Sequence, residues 1–334
     1  MRRREFITLI GGAAASPLAA RAQQPAKMKR IAMVASSLRA VDLVASYHPF
    51  LREFFEELSR AGFVEGRSLV VERYSALGQV DRVAQLARDV VDTRPDAIFS
   101  TDIIIGIAVK AATTTIPIVS ISGDPVALGL VSNIARPGGN VTGTAVNAGF
   151  EIWGKRIGLL KEVLPMLSNA CIILHRRIEW EGPYGSAIRQ AAKDASVALI
   201  EVVFDGKIDE TEYQRVFSAF EQDRPDALIV SEFSVHFTNR ATIVELAAKH
   251  RLPAIYAFRD FVEIGGLMAY SPDFPEVGRS VGHQMDQILS GTNPRDIPYN
   301  QVTHYELALN LKTGKSLDLE FPATLLGSAD LIVE

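Results

Sequence analysis

The chain has 334 residues, of which 48% are hydrophobic and 22% charged, and its formal net charge is −4 at pH 7. This composition is that of an ordinary globular protein and not of a disordered chain, and the length predicts about two domains. The acidic balance argues against nucleic acid as a partner, and the single cysteine, Cys171, excludes an intramolecular disulfide.

The first 22 residues are typical of a cleaved export signal. Arg2-Arg3-Arg4 precedes a short apolar stretch, and Ala20-Arg21-Ala22 fits a cleavage site of the small-x-small type. Arg3-Arg4-Glu5-Phe6-Ile7 resembles the twin-arginine signal, although a general secretory signal with a basic start remains an alternative. Because Cys171 lies far from the cleavage site, we expect a periplasmic protein that is not lipidated.

The rest of the chain alternates predicted strands with predicted helices. In the first half, the strands are predicted at Ile31–Ala35, Leu69–Val71, Ala97–Ser100 and Ile116–Ser120, and Val141–Val146 is predicted to carry the chain across to the second lobe. Helical periodicity is found around Phe50–Leu58, Val80–Val90 and Ile103–Ala112. Strands that alternate with helices of this length predict a mainly parallel sheet with right-handed crossovers.

The second half repeats this scheme and then crosses between lobes twice more. Its strands are predicted at Ala170–Leu174, Val197–Phe204, Ala227–Ser231 and Ala254–Ala257. Leu267–Tyr270 is predicted to return the chain to the first lobe, where Pro275–Leu289 forms a helix. A third crossing is predicted near Ile297–Thr303.

Three short motifs recur in the same order in both halves. Arg94-Pro95-Asp96-Ala97 returns as Arg224-Pro225-Asp226-Ala227, Ile116-Pro117-Ile118 as Leu252-Pro253-Ala254, and Gly129-Leu130 as Gly266-Leu267. We therefore predict two similar Rossmann-like α/β lobes with parallel sheets, joined by a three-segment hinge. The predicted lobes comprise residues 28–143 plus 268–296 and residues 144–267 plus 297–334. Facing lobes form a cleft, and a cleft predicts a small-molecule ligand.

Several longer runs resemble one family of ABC-transporter substrate-binding proteins, which includes periplasmic tryptophan- and tyrosine-binding components. The runs are Gly123-Asp124-Pro125-Val126, Ala135–Gly143, Ala248–Tyr256, Phe258–Glu263 and Asn310-Leu311-Lys312-Thr313. The resemblance implies the type I periplasmic-binding-protein fold and delivery of a small solute, such as an aromatic amino acid, to an ABC permease in the inner membrane. The chain departs from the family pattern at Thr101-Asp102-Ile103, where smaller, uncharged residues are expected.

Polar residues at the strand ends of the first lobe are candidate ligand contacts, because ligands bind at the carboxyl ends of strands in open parallel sheets. The candidates are Ser36, Ser37, Thr101, Asp102, Ser122 and Asp124. Asp102 is the preferred partner for a ligand ammonium group, and its alternative role is to cap the helix that starts at Ile103. Asp124 precedes Pro125 and fits a helix N-cap equally well.

The candidates of the second lobe are Ser231, Glu232, Phe233, Tyr256, Arg259, Asp273 and Trp180. Arg259 fits a bidentate clamp on a ligand carboxylate, or a surface pair with Asp260 or Glu263. Asp273 fits either a hinge position or a second ammonium site. Trp180 and Phe233 fit an aromatic wall for a planar ligand, and Trp180 equally fits loop packing.

The dispersed histidines form no short metal-ligand motif, and no nucleophile elbow occurs. We therefore expect neither a cofactor nor an enzyme, although an exported α/β enzyme with a site assembled from distant residues remains an alternative. A second alternative is a sensory module that presents its ligand-bound form to a membrane receptor. A carrier that needs both lobe faces for docking is expected to be a monomer.

Overall fold

The computed structural model describes residues 28–146, 151–175, 177–204 and 208–334. Within these ranges the chain forms two α/β lobes, one around a six-stranded sheet and one around a seven-stranded sheet. The predicted fold of two similar lobes with mainly parallel sheets is confirmed. The predicted export signal lies outside the described residues. Every helix in the described ranges falls short of the length and apolar character that a membrane span requires.

The first lobe is built around a strand that is buried on both faces. Numbered in chain order over both lobes, its strands are β1 (Lys29–Ala35), β2 (Leu69–Ser75), β3 (Ala97–Ser100), β4 (Ile118–Ser122), β5 (Val141–Ala145) and β11 (Asn300–Gln301). Ile31 and Met33 of β1 belong to one core cluster, and Ala32 and Val34 belong to the other. This alternation follows the two-residue period of a strand, and burial of both faces explains the continuous apolar run.

The helices of the first lobe cover both faces of its sheet, which has the order β2–β1–β3–β4–β5–β11. They are α1 (Pro49–Arg60), α2 (Val80–Asp92), α3 (Ile103–Ala112) and α11 (Phe274–Leu289). Helix α11 packs closely on α1, since a Cβ atom at Gly278 would lie 2.3 Å from the Phe50 carbonyl oxygen. His48 caps α1 by accepting a hydrogen bond from the Phe50 N–H at 3.1 Å, and it thereby fixes the start of this helix at the cleft.

The second lobe repeats the order of the first five strands of the first sheet and ends with two further strands where the first sheet ends with one. Its strands are β6 (Asn169–His175), β7 (Ala198–Phe204), β8 (Ala227–Val230), β9 (Ala254–Tyr256), β10 (Met268–Pro272), β12 (Tyr305–Asn310) and β13 (Leu331–Val333). Its helices are α4 (Glu151–Val163), α5 (Arg177–Glu181), α6 (Pro183–Asp194), α7 (Glu210–Ala219), α8 (Ser234–Thr238), α9 (Arg240–Lys249), α10 (Asp260–Glu263), α12 (Leu311–Ser316) and α13 (Ala323–Ser328). The order is β7–β6–β8–β9–β10–β12–β13, and β12 runs antiparallel to β10.

The repeated sequence motifs perform the same structural task in each lobe. Asp96 accepts a hydrogen bond from the backbone N–H of Arg30 at 2.7 Å, and Asp226 accepts one from Asn169 at 2.9 Å. Each aspartate thereby joins the start of the third strand of its lobe to the start of the first. The repeat therefore reflects two lobes with one topology.

The predicted second crossing was wrong. Met268–Pro272 pairs with β9 and β12 in the second sheet, so the chain returns to the first lobe only after Pro272. β5 likewise stays in the first sheet up to Ala145, and β11 pairs with β5 before β12 joins the second sheet. These pairings move all three predicted lobe boundaries toward the C-terminus.

Candidate ligand-binding site

A cavity of about 550 Å³ lies between the lobes, at the carboxyl ends of their strands. Its volume is within the range of small-molecule sites, and its position is where open parallel sheets bind ligands. The first lobe contributes the segments that follow β3 and β4, and the second lobe contributes the segments that follow β8 and β9. Val146 and Pro272 line the cavity where the chain crosses between the lobes.

The wall of the first lobe carries two carboxylates that cap backbone segments. Oδ1 of Asp102 accepts hydrogen bonds from the N–H groups of Ile104 and Ile105 at 3.1 and 3.2 Å, and Oδ2 accepts one from Ser36 at 2.9 Å. Oδ1 of Asp124 accepts hydrogen bonds from Val126 and Ala127 at 2.9 and 3.0 Å. Asp102 therefore caps α3, as its alternative role predicted, whereas Asp124 caps a turn, because residues 125–129 do not form a helix; both aspartates also line the cavity.

The environment of Asp102 opposes its ionisation. Burial raises the pKa of its carboxyl group, and this effect outweighs the hydrogen bonds from Ser36, Ile105 and Ile104, which lower it. A cationic ligand group beside this carboxylate would favour the ionised form.

The wall of the second lobe carries an ion pair. Nη1 of Arg156 donates a hydrogen bond to Oε2 of Glu232 at 2.9 Å, and Nε donates one to the Tyr270 carbonyl oxygen at 3.1 Å. The guanidinium carbon lies 4.9 Å from the ring centroid of Trp153. The Arg156 side chain is only 1% exposed, and the residue lines the cavity.

Aromatic side chains make up much of the remaining wall. The Phe258 ring lies 5.0 Å from Phe237 and 5.3 Å from Phe274, and the Phe233 ring lies 5.7 Å from Tyr184. All five residues line the cavity. Such a surface suits an apolar or aromatic group of a ligand.

Two side-chain contacts join the lobes beside the cavity. The hydroxyl oxygens of Ser36 and Ser234 are 2.8 Å apart, and Nε2 of His48 lies 3.1 Å from Oδ1 of Asp260. Ser36 and His48 belong to the first lobe, whereas Ser234 and Asp260 begin α8 and α10 of the second. In this structure the two lobes are therefore in a closed arrangement.

The structure brings six of the predicted ligand contacts to the cavity. They are Thr101, Asp102, Ser122, Asp124, Glu232 and Phe233. The hydroxyl of Ser122 already contacts the Tyr299 hydroxyl at 2.8 Å. Ser36 and Ser37 are buried next to this wall and do not belong to the cavity lining.

The remaining five predicted contacts do not belong to the cavity lining. Trp180 lies in α5 and not in a loop, and its Nε1 donates a hydrogen bond to Glu201 at 2.6 Å, so its side chain packs within the second lobe. Ser231 is fully buried, and Tyr256 stacks on Phe261 in the core.

The last two of these residues, Arg259 and Asp273, interact with other side chains or with backbone groups. Arg259 forms ion pairs with Glu263 and Glu306, both at 3.0 Å, so the paired alternative applies. Asp273 caps α11 by accepting a hydrogen bond from the Glu276 N–H at 3.0 Å, at the position where the chain returns to the first lobe.

Sequence reasoning missed the cavity residues Arg156, His48 and Phe258. A signal for Arg156 was present, because it lies on the same helical face as Trp153, Ile157 and Leu160, which are buried. A charged residue on a buried helical face requires a partner or a function. His48 precedes Pro49 and reads as a loop residue, so its location at the cleft depends on the tertiary fold.

Over the described ranges, His, Cys, Asp and Glu side chains form no group of three or more that could hold a metal ion. The site therefore consists of hydrogen-bonding, charged and aromatic groups around a closed cavity. Such a site can bind a small organic molecule through contacts from both lobes.

Among curated proteins, the chain is 24% identical over 278 residues to a tyrosine-binding protein of Clostridioides difficile strain R20291. This match covers 82% of the chain and 79% of that protein. Among solved structures, a conserved domain protein from Vibrio cholerae matches with a TM-score of 0.79 at 21% identity, covering 92% of this chain and all of that one.

A second solved structure is an ABC domain in complex with L-Trp from Streptococcus pneumoniae. It matches with a TM-score of 0.77 at 18% identity, covering 92% of this chain and all of that one. The family model described as ABC transporter substrate binding protein matches residues 48–333. This span runs from His48, just before α1, to Val333 in β13 and covers most of both lobes, so the chain belongs to the ABC transporter substrate-binding protein family.

Proposed function

We propose that this protein is the periplasmic solute-binding component of an ABC importer and that its ligand is an aromatic amino acid. The observation that carries the proposal is the cavity between the lobes, which combines aromatic rings with carboxylates and a guanidinium group. An amino acid needs a carboxylate for its ammonium group, a donor for its carboxylate and an apolar wall for its side chain. The tyrosine-binding relative and the L-Trp complex support this class of ligand.

Ligand contacts from both lobes would shift the protein toward its closed arrangement, which the permease would then recognise. The ammonium group would face Asp102 or Asp124, since both carboxylates line the first-lobe wall. Export through the twin-arginine signal and cleavage before Gln23 would place the protein in the periplasm without a lipid anchor. The solute would leave the site chemically unchanged, because the role is transport and not catalysis.

A thermal-shift screen of the purified protein against the amino acids would test the ligand. A ligand at 100 times its Kd stabilises the folded state by about 2.7 kcal/mol, and we expect this for one or more of tyrosine, tryptophan and phenylalanine. X-ray scattering should show compaction with the same compound, and mass spectrometry should recover it unchanged. Stabilisation only by non-aromatic solutes would contradict the aromatic ligand, and turnover of the bound compound would contradict the transport role.

A further inference from the structure

The first-lobe wall is poorly suited to bind a ligand carboxylate. In many proteins the free N–H groups at a helix start bind anions. Here the Asp102 carboxylate already accepts the N–H groups of Ile104 and Ile105, and Asp124 accepts those of Val126 and Ala127. A ligand carboxylate at this wall would meet two carboxyl groups, and the backbone donors beside them are already used.

The second-lobe wall offers a guanidinium group whose orientation is fixed. Arg156 uses Nε to bind the Tyr270 carbonyl oxygen and Nη1 to bind Glu232. Its Nη2 donates no hydrogen bond to any described residue, although a guanidinium group carries five N–H donors. The two existing bonds and the Trp153 ring hold the planar group in one orientation at the cavity wall.

Most of the charged residues in the described cavity lining are acidic, and Arg156 is the exception. Asp102, Asp124 and Glu232 are acidic, and among the described lining residues Arg156 is the single lysine or arginine. Within the described part of the lining, a carboxylate that enters this cavity therefore has one lysine or arginine charge to bind. An Arg156–Glu232 pair with a purely structural role would not discriminate between ligands with and without a carboxylate.

We infer that the ligand carboxylate binds Nη2 of Arg156 in the second lobe, so the two ends of the amino-acid head group contact opposite lobes. This inference rests on the proposed function and specifies which lobe binds which charge. Both charged ends of the ligand then contribute to lobe closure, because each end contacts a different lobe. The pocket selects for molecules that carry an amine and a carboxylate together.

The test compares L-tyrosine with tyramine, which keeps the ring and the amine and lacks the carboxylate. Calorimetry would measure both affinities for the wild type, for the double variant Arg156→Gln/Glu232→Gln and for Arg259→Gln. Glu232→Gln accompanies the first change so that the charge that Arg156 neutralises is removed together with the guanidinium. Arg259→Gln is the matched control, since Arg259 is an ion-paired arginine of the same lobe that does not line the cavity.

The wild type should bind tyrosine about 10- to 100-fold tighter than tyramine, as expected for a charge-assisted hydrogen bond. The double variant should bring this ratio close to one through weaker tyrosine binding, with tyramine affinity retained, and Arg259→Gln should keep the wild-type ratio. A folded double variant with the wild-type ratio would overturn the inference. If the double variant does not fold, Arg156→Lys, which keeps the charge and loses the planar fork, should reduce the ratio several-fold, and an unchanged ratio would again overturn it.

The same data separate this inference from the proposed function. A wild type that binds neither tyrosine nor any other aromatic amino acid would refute the proposed ligand, and the carboxylate assignment would fail with it. A wild type that binds tyrosine and tyramine equally would refute the assignment to Arg156 alone.

Discussion

The first lobe lines the cleft with carboxylates that cap its own backbone, whereas the second lobe lines it with an ion pair, and both lobes contribute aromatic rings. Both walls follow the same strand positions, because the two sheets share one order up to their fifth strand. Asp102 follows β3 and Glu232 follows the equivalent strand β8, yet only Asp102 accepts hydrogen bonds from the start of the following helix. The fold thus determines where the wall residues lie, and local sequence determines their chemistry.

The glycines of the Gly129-Leu130 and Gly266-Leu267 repeat offer the strongest test of whether one repeated motif has a different role in each lobe. Gly129 has φ +71°, a backbone conformation that favours glycine, and a Cβ atom added there would lie in open space. Glycine is therefore required at this position by the backbone conformation and not by packing. At Gly266, by contrast, a Cβ atom would lie 2.5 Å from the Tyr256 ring and 2.7 Å from the Phe261 carbonyl oxygen. The same motif is therefore required by backbone strain in one lobe and by close packing in the other.

We expect Gly266→Ala to lower the free energy of unfolding by about 3 kcal/mol, as overpacking against backbone does, and Gly129→Ala to lower it by about 1 kcal/mol. Urea titrations of both variants would measure the difference. Gly158→Ala serves as a control, because this position in α4 is open and helical, and alanine there should stabilise by up to about 1 kcal/mol. Equal losses at Gly129 and Gly266 would show that packing in the second lobe is looser than the structure describes.

The order of strands and helices could be predicted from sequence because each is encoded locally. β1 is an apolar run buried on both faces, and α3 begins after a capping aspartate. The repeated Arg-Pro-Asp motif indicated two lobes because each aspartate joins two strands of its own sheet. β10 was assigned to the wrong lobe because its short sequence does not specify its neighbours, although Gly266-Leu267 before it indicated the place that β5 occupies in the first lobe.

The candidate site was predicted less well, because its lining depends on which groups remain free after folding. Thr101 and Asp102 lie at the cavity because strand ends in a parallel sheet meet at one edge. Arg259 follows β9 in the same manner, but its side chain pairs with Glu306 on β12, which is distant in sequence. The local pattern offered Glu263 as a partner of Arg259, but only the folded chain adds Glu306, so the sequence could not decide between pairing and a ligand contact.

A second contrast between the lobes concerns acid stability. His236 in the second lobe is fully buried, and its Nδ1 lies 2.7 Å from the Tyr213 hydroxyl oxygen. Burial lowers the pKa of His236 to about 3, and nearby His175 shifts it in the same direction. In the unfolded chain a histidine has a pKa of about 6.5. As the pH falls, His236 therefore gains its proton in the unfolded state before it does so in the folded state. The contribution of neutral His236 to the free energy of unfolding is thus complete above about pH 6.5 and decreases below it.

Between pH 7 and pH 5 this linkage should lower the free energy of unfolding by about 2 kcal/mol. Urea titrations at both pH values should show a smaller decrease for His236→Asn, whose side-chain oxygen can replace Nδ1 as the acceptor. His283→Asn is the control, since its side chain in the first lobe is 56% exposed and should leave the wild-type decrease unchanged. Hydrogen exchange at pH 5 should accelerate in the second sheet before the first. Identical pH slopes for wild type and His236→Asn would contradict the assignment of acid sensitivity to this residue.

The contact between His48 and Asp260 provides a test of how the two lobes close on each other. Both side chains are more than four-fifths buried, and they join the start of α1 to the start of α10 across the cleft. Burial raises the pKa of Asp260, whereas the hydrogen bond that His48 donates lowers it, and the net pKa lies below its usual value. The contribution of Asp260 to the free energy of unfolding is therefore fully present above the usual aspartate pKa of about 4. It is lost as the pH falls through the lower pKa that Asp260 has in the folded protein.

Asp260→Asn should weaken the closed arrangement by about 1 kcal/mol. Because a ligand that requires closure binds in proportion to the closed fraction, apparent affinity should fall about five-fold while each lobe keeps its stability. Calorimetry would measure the affinity, and X-ray scattering should show a larger open fraction before ligand is added. Glu263→Gln on the same helix removes an ion pair that stays within the second lobe, so it should change neither quantity. A lower unfolding free energy with unchanged affinity would assign Asp260 to the stability of its own lobe and not to closure.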